Sequence, residues 1–287
     1  MKPLNKITII GVGLIGGSFA KGLKQAGLVK QVTGFGQNRA NLQTAIELGV
    51  IDDYTTDMKT AVTDSDLIML AVPLGVMESV LAELKPFIKP GVIITDAGSA
   101  KSSVIASVEK VFGQLPGFFV PGHPIAGKEK SGVTAADPAL YVNHRVILTP
   151  TENTDADALQ VVTKLWQALG ANVESMSSAQ HDDIFAATSH LPHLLAFSLV
   201  DMLDDNSELG NVFPYTAGGF RDFTRIASSD ATMWRDIALT NSTAIVKWLK
   251  NYQASIASLT EMIETEQGEQ LFKLFEDAKS ARDRHIK

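Results

Sequence analysis

An α/β domain followed by an all-α domain is the architecture this sequence predicts, on three observations. Short apolar, β-branched runs alternate with amphipathic stretches up to about residue 176. A glycine-rich turn joins the first run to the first stretch. Beyond Ser177 the strand signal stops and only long helical periodicity remains.

The runs at residues 7–10, 32–35, 67–72, 92–95, 118–120, 146–148 and 173–176 read as strands. Almost every position in them is apolar, as in a parallel sheet covered by helices on both faces. The stretches 14–25, 39–48, 76–84, 104–112 and 156–169 read as the covering helices, which makes residues 1–176 a doubly wound domain. In 177–287 helices are expected at 181–189, 193–203, 230–263 with breaks, and 268–286. Leu195, Leu199, Met202 and Leu203 share one helical face; Ile245, Trp248, Leu249, Tyr252, Ile256 and Leu259 share another. Such stripes read as domain core, and a helical domain this apolar is suited to share its core with a second copy.

Composition narrows the function. Of 287 residues 45% are hydrophobic and 20% charged, an ordinary balance for a globular protein. A net charge of −7 without a Lys/Arg block argues against nucleic-acid binding. With no cysteine there is no disulfide, thiolate metal site or cysteine nucleophile. The sequence shows neither a signal-peptide pattern nor an apolar run long enough to span a membrane, so a cytoplasmic location is expected.

The turn Gly11-Val12-Gly13-Leu14-Ile15-Gly16 follows a strand and opens a helix, the context in which Gly-x-Gly-x-x-Gly binds a dinucleotide. Gly11 permits the tight turn, Gly13 lets a pyrophosphate approach, and Gly16 lets helix and strand pack. The N–H groups of Leu14 and Ile15 belong to the helix start that faces the phosphates. This is a Rossmann-type dinucleotide-binding domain. At the end of the second strand, where NAD-binding folds carry an acidic residue, the chain has Gly36, then Gln37, Asn38 and Arg39. That tilts NAD(P)+ binding towards NADP+ or dual use. Val72 and Pro73 end a strand beside the expected nicotinamide ribose, and Ser99 follows the next strand, within reach of both cofactor and base.

About a hundred residues after the glycine loop, His123 stands in the frame Gly122-His123-Pro124-Ile125-Ala126-Gly127, read here as a loop too polar and broken to be core. Histidine is the side chain best suited to take a proton near neutral pH, and a nicotinamide takes a hydride. Together they suggest a dehydrogenase. His190 and His193 are three apart, but no third ligand at a suitable spacing supports a metal.

The blocks Gly122–Gly127 with Lys128-Glu129-Lys130-Ser131-Gly132, then 146–150, 189–193, 218–227 and 233–236, together resemble the prephenate/arogenate (cyclohexadienyl) dehydrogenase family, in the family's order and over nearly the whole chain. The resemblance implies an all-helical dimerisation domain, hence a homodimer, and oxidative decarboxylation of prephenate to 4-hydroxyphenylpyruvate or of arogenate to tyrosine. It makes His123 the hydrogen-bond acceptor for the ring C4 hydroxyl and Ser99 the hydroxyl that orients it. His193, Ser189 and His190 become substrate-pocket residues, Arg225 a carboxylate clamp, Asp222 a holder of one of these cations, and Glu129 a residue near the substrate. Arg221 and Arg235 read as surface or helix-end charges. The alternatives are another Rossmann-plus-helical enzyme, such as a β-hydroxyacid dehydrogenase, and a non-catalytic NAD(P)-sensing module.

Overall fold

The computed structural model describes residues 2–128, 131–206, 208 and 210–286. Packing divides the chain into two compact units, 1–242 and 243–287.

Six strands of the first unit, β1 (Leu4–Ile10), β2 (Val29–Phe35), β3 (Asp53–Thr55), β4 (Leu67–Leu70), β5 (Ile93–Asp96) and β6 (Phe119–Val120), form one parallel sheet in the order β3-β2-β1-β4-β5-β6. Its helices are α1 (Leu14–Gln25), α2 (Arg39–Glu47), α3 (Met58–Val62), α4 (Met77–Leu84), α5 (Lys101–Phe112) and α6 (Ala156–Ala168). Successive side chains of a strand point to opposite faces. Ile7, Ile9, Leu67 and Met69 accordingly pack with Phe19, Leu23 and Trp166 of α1 and α6. Ile10, Ile68 and Leu70 pack with Leu81, Val104 and Val108 of α4 and α5. Both faces being covered, the runs carry no polar alternation, and each fully buried Leu or Ile contributes roughly 1.5–3 kcal/mol. Strand order reverses between β1 and β4, the switch point at which such sheets open a crevice.

The last two predicted runs do not extend this sheet. β8 (Arg145–Leu148) and β9 (Asn172–Ser175) pair parallel, and β7 (Gly122–Pro124) joins β8 antiparallel in a separate three-stranded sheet. The histidine frame expected as a loop is therefore a strand, with His123 opposite Ile147. Gly and Pro oppose strand formation locally, and only pairing with β8 overrides them.

The first unit continues with α7 (Ser178–Phe185), a π-helical turn (Ala186–His190), α8 (Leu191–Asp204), α9 (Gly218–Thr224) and α10 (Ala231–Thr240). The predicted helix at 181–189 thus starts earlier, on the Ser177 cap, and ends in the wider turn. The second unit holds the remainder of α11 (Ser242–Glu264) and α12 (Gly268–His285), joined by a turn in which Gln267 N–H donates to the Met262 carbonyl at 2.9 Å. Tyr252, Ile256, Ile263, Phe272, Leu274 and Phe275 leave apolar surface exposed there. No helix among the described residues is long and apolar enough to cross a membrane.

Candidate active site

The glycine loop sits at the switch point. Gly11 has φ +95°, and a Cβ there would lie 2.3 Å from the Ala71 carbonyl oxygen, so only glycine fits. A Cβ on Gly16 would lie 2.4 Å from the Gly11 oxygen, which holds α1 against β1. Gly13 meets nothing within 4 Å and caps α1 without a side-chain hydrogen bond, leaving the first N–H groups of the helix open to an anion. Leu14 and Ile15 are part-buried behind it, and the Ile15 carbonyl is held by the buried Tyr141 hydroxyl at 2.6 Å. At the end of β2, the space around Gly36 is clear to 4.0 Å. Gln37 is exposed, Asn38 is spent as the cap of α2, and Arg39 Nη2 rests 3.3 Å from Thr56 Oγ1. β4 stops at Leu70; Val72 is part-buried and Pro73 exposed on the loop beyond it.

The core of the site is a buried ion pair that the sequence did not reveal. Lys101 opens α5 and is wholly buried, its ammonium bonded to the Asp96 carboxylate and to the Gly122 carbonyl at 2.6 Å. Asp96 in turn accepts from Gly98 N–H at 2.8 Å and Gly122 N–H at 3.0 Å. Both backbone polar groups of Gly122 are thereby fixed, one residue before His123.

His123 Nδ1 lies 2.8 Å from His181 Nε2, and His181 Nδ1 lies 2.8 Å from Asp182 Oδ1. Asp182 also accepts the first N–H groups of α5, from Lys101 at 2.7 Å and Ser102 at 2.9 Å. That cap explains why α5 begins three residues before the predicted 104. Phe185 packs on both imidazoles, with ring centroids 5.3 Å and 4.6 Å away. Burial first, then electrostatic coupling to His181, Lys101 and His190, holds the His123 pKa well below the usual histidine value. Burial lowers His181 too, against the pull of Asp182. Burial pushes the Asp182 carboxyl up, but the His181, Ser102 and Lys101 bonds outweigh it and keep it below the ordinary carboxylate range. Ser99 is part-buried on the loop before α5, and no hydrogen bond among the described residues joins it to His123.

Other predicted residues gather on the π turn and the helices after it. His193 Nδ1 donates to the Ser189 carbonyl at 2.9 Å, and its ring stacks on Trp234, centroids 3.8 Å apart and planes 19° from parallel. Arg225 is exposed at the end of α9, its charge acting on His193, whose pKa is lowered chiefly by burial. Asp222 is exposed on α9 and Ser189 part-buried. His190 is only 1% exposed, with Nδ1 3.2 Å from Asn241 Nδ2. Glu129 lies outside the described residues. Arg221 is exposed, bonding the Thr216 carbonyl. Arg235 is exposed as expected, and its Nη2 and Nε also reach the buried Asp236 Oδ1 at 2.7 and 3.0 Å. The buried Asp236 also accepts Gly75 N–H at 3.0 Å, and a Cβ on Gly75 would come within 2.6 Å of that carboxylate. The loop after β4 is so tied to the helix that carries Trp234.

Burial, then electrostatic coupling to His181, lowers the His190 pKa to about 4. The unfolded chain, with a histidine near 6.5, binds more protons than the folded one between those values. Stability from this group is therefore complete above pH 6.5 and is lost as pH falls towards 4, by about 3 kcal/mol at one shifted group. Urea midpoints are expected to drop from pH 7.5 to pH 5, and less so in His190→Asn; equal midpoints at the two pH values in the unmodified protein rule this out.

Similarity to known proteins separates the dehydrogenase readings. Residues 19–175 match the nucleotide-binding domain of prephenate dehydrogenase, and residues 177–277 its dimerization domain. The chain belongs to the prephenate dehydrogenase family. It is 36% identical to the cyclohexadienyl dehydrogenase of Zymomonas mobilis, covering 98% of this chain and 96% of that one. It is 37% identical to the prephenate dehydrogenase of Bacillus subtilis, over 96% of this chain and 75% of the relative. The crystal structure of prephenate dehydrogenase from Aquifex aeolicus in complex with hydroxyphenyl propionate and NAD+ superposes with a TM-score of 0.92, at 38% identity over 98% of both chains. These relatives support a dehydrogenase of tyrosine biosynthesis over a β-hydroxyacid dehydrogenase or a nucleotide sensor.

Proposed function

We propose that this chain catalyses the oxidative decarboxylation of prephenate to 4-hydroxyphenylpyruvate, and/or of arogenate to tyrosine, as a cytoplasmic homodimer. In this reading residues 1–176 bind the dinucleotide, and residues 177–287 complete the substrate pocket and dimerise. The exposed apolar side chains of α11 and α12 support a partner of the same kind.

The observation that carries the reading is His123, held uncharged near neutral pH on a strand whose first residue is clamped by Asp96 and Lys101. An imidazole that is neutral can accept the proton of the ring C4 hydroxyl. When bound, NAD(P)+ supplies the acceptor for the hydride that leaves C4. The bond from C1 to its carboxylate then breaks, CO2 departs, and its electron pair makes the ring aromatic. The proton held by His123 returns to the ring oxygen, so a phenol forms without net proton release.

Ser99, on the loop between β5 and α5, orients the C4 hydroxyl in this reading. Arg225 grips a substrate carboxylate with its planar fork. His193, fixed by the Ser189 carbonyl and Trp234, presents its remaining nitrogen to the substrate. Ser189 and His190 form the wall of that pocket, with Asp222 steadying a cation and Glu129 near the substrate. The residues fit a dinucleotide: Gly11, Gly13, Leu14, Ile15 and Gly16 take the pyrophosphate, and Val72 and Pro73 flank the nicotinamide ribose. Gly36, Gln37 and Arg39 surround the 2′ position, and the open space at Gly36 favours NADP+ or dual use. The test is direct. Purified protein with prephenate or arogenate and either nucleotide is followed at the absorbance of reduced nicotinamide. No turnover with either substrate between pH 6 and 9 overturns the proposal.

A further inference from the structure

We infer that His181 and Asp182 are positioning residues that set the tautomer of His123, leaving its Nε2 as the lone-pair acceptor. The inference deepens the proposed reaction and rests on His123 being its base.

Donors and acceptors fix the direction of this chain of bonds. Asp182 Oδ1 is a carboxylate oxygen and can only accept, so the 2.8 Å contact requires a hydrogen on His181 Nδ1. A neutral imidazole carries one N–H, which leaves a lone pair on His181 Nε2. That lone pair faces His123 Nδ1 at 2.8 Å, so His123 must donate there. Its own lone pair is then on Nε2. The chain of bonds reads from the carboxylate outward, and reversing it would set two lone pairs or two hydrogens against each other.

Several features keep the chain in this direction. Lys101 N–H and Ser102 N–H hold the Asp182 carboxylate, and Asn241 Nδ2 donates to the Asp182 carbonyl at 2.9 Å. Phe185 packs on both rings. Lys101, with Asp96 beside it, and His190 are the other ionisable groups acting on this pair of rings, and the positive charge of Lys101 opposes a second proton on either one. When His123 takes a proton on Nε2, its Nδ1–H keeps the same partner, so no side chain has to reorganise.

Two measurements test this on the full-length protein. Long-range proton–nitrogen spectra of the 15N-labelled protein at pH 8, without substrate, should show His123 protonated on Nδ1 and bare on Nε2. An Nε2–H tautomer overturns the inference, whatever the protein turns over. His181→Leu should lower kcat by roughly 10- to 100-fold with KM little changed, and His181→Gln, whose amide oxygen can still accept, should recover part of the loss. Equal kcat in His181→Leu and the parent also overturns it. Should neither prephenate nor arogenate be oxidised, the proposed reaction fails while the spectra still decide the tautomer.

Discussion

Replacing His123 with asparagine lowers kcat by between about 10²- and 10⁴-fold, the range for loss of a positioned acid or base, while NAD(P)+ binding persists. The amide fits the strand, since β7 is held through Gly122 rather than through the imidazole. It lacks a basic nitrogen, so the C4 hydroxyl keeps its proton as hydride transfer begins. The pH profile carries a second expectation. A histidine base works when neutral, and its activity is lost as pH falls through the folded pKa. A neutral imidazole makes activity rise with pH through the His123 pKa, which burial holds well below the ordinary histidine value. The acid limb of kcat/KM, which reports the free enzyme, therefore lies below pH 6.5, with a plateau above 7. Steady-state kinetics across pH 5 to 9, with the nucleotide titrated by fluorescence, checks both. Parental turnover in His123→Asn removes His123 from the mechanism.

The second large effect concerns stability. Lys101→Met leaves the wholly buried Asp96 without its counter-charge and Gly122 without a donor to its carbonyl. Breaking a buried pair from one side costs about 3–5 kcal/mol. For a chain of this size that corresponds to a melting temperature lower by on the order of 10 °C. Removing both charges, in Lys101→Met with Asp96→Asn, should cost less than Lys101→Met alone, because no uncompensated charge stays behind. Calorimetry of the three proteins decides it: a Lys101→Met melting point close to the parent's would mean that water or another group relieves Asp96.

Much of the fold was legible because its signals are local. Runs such as 67–70 are apolar throughout, since both sheet faces are covered. The helix 14–25 has the bounds the periodicity predicts. β7 was not legible, because Gly122 and Pro124 argue against a strand and only β8 makes one. In the candidate site, His123, Ser99, His193 and Arg225 stood out through motif and resemblance. Lys101, Asp96, His181, Asp182 and Asp236 did not. His181 and Asp182 read as ordinary polar positions of a helix, and nothing near Lys101 in the chain announces its burial.

The sequence by itself determined the architecture, the glycine turn and the presence of a framed histidine. Periodicity and turn chemistry act between residues a few positions apart, and a linear reading captures them. The tertiary structure alone decided what His123 touches and how basic it is. Its partner is 58 positions away, the clamp on Gly122 comes from 26 and 21 positions away, and Asp182 reaches α5 across 81. Desolvation and a hydrogen bond depend on which atoms meet in space, and those meetings exist only once the sheets and helices have packed.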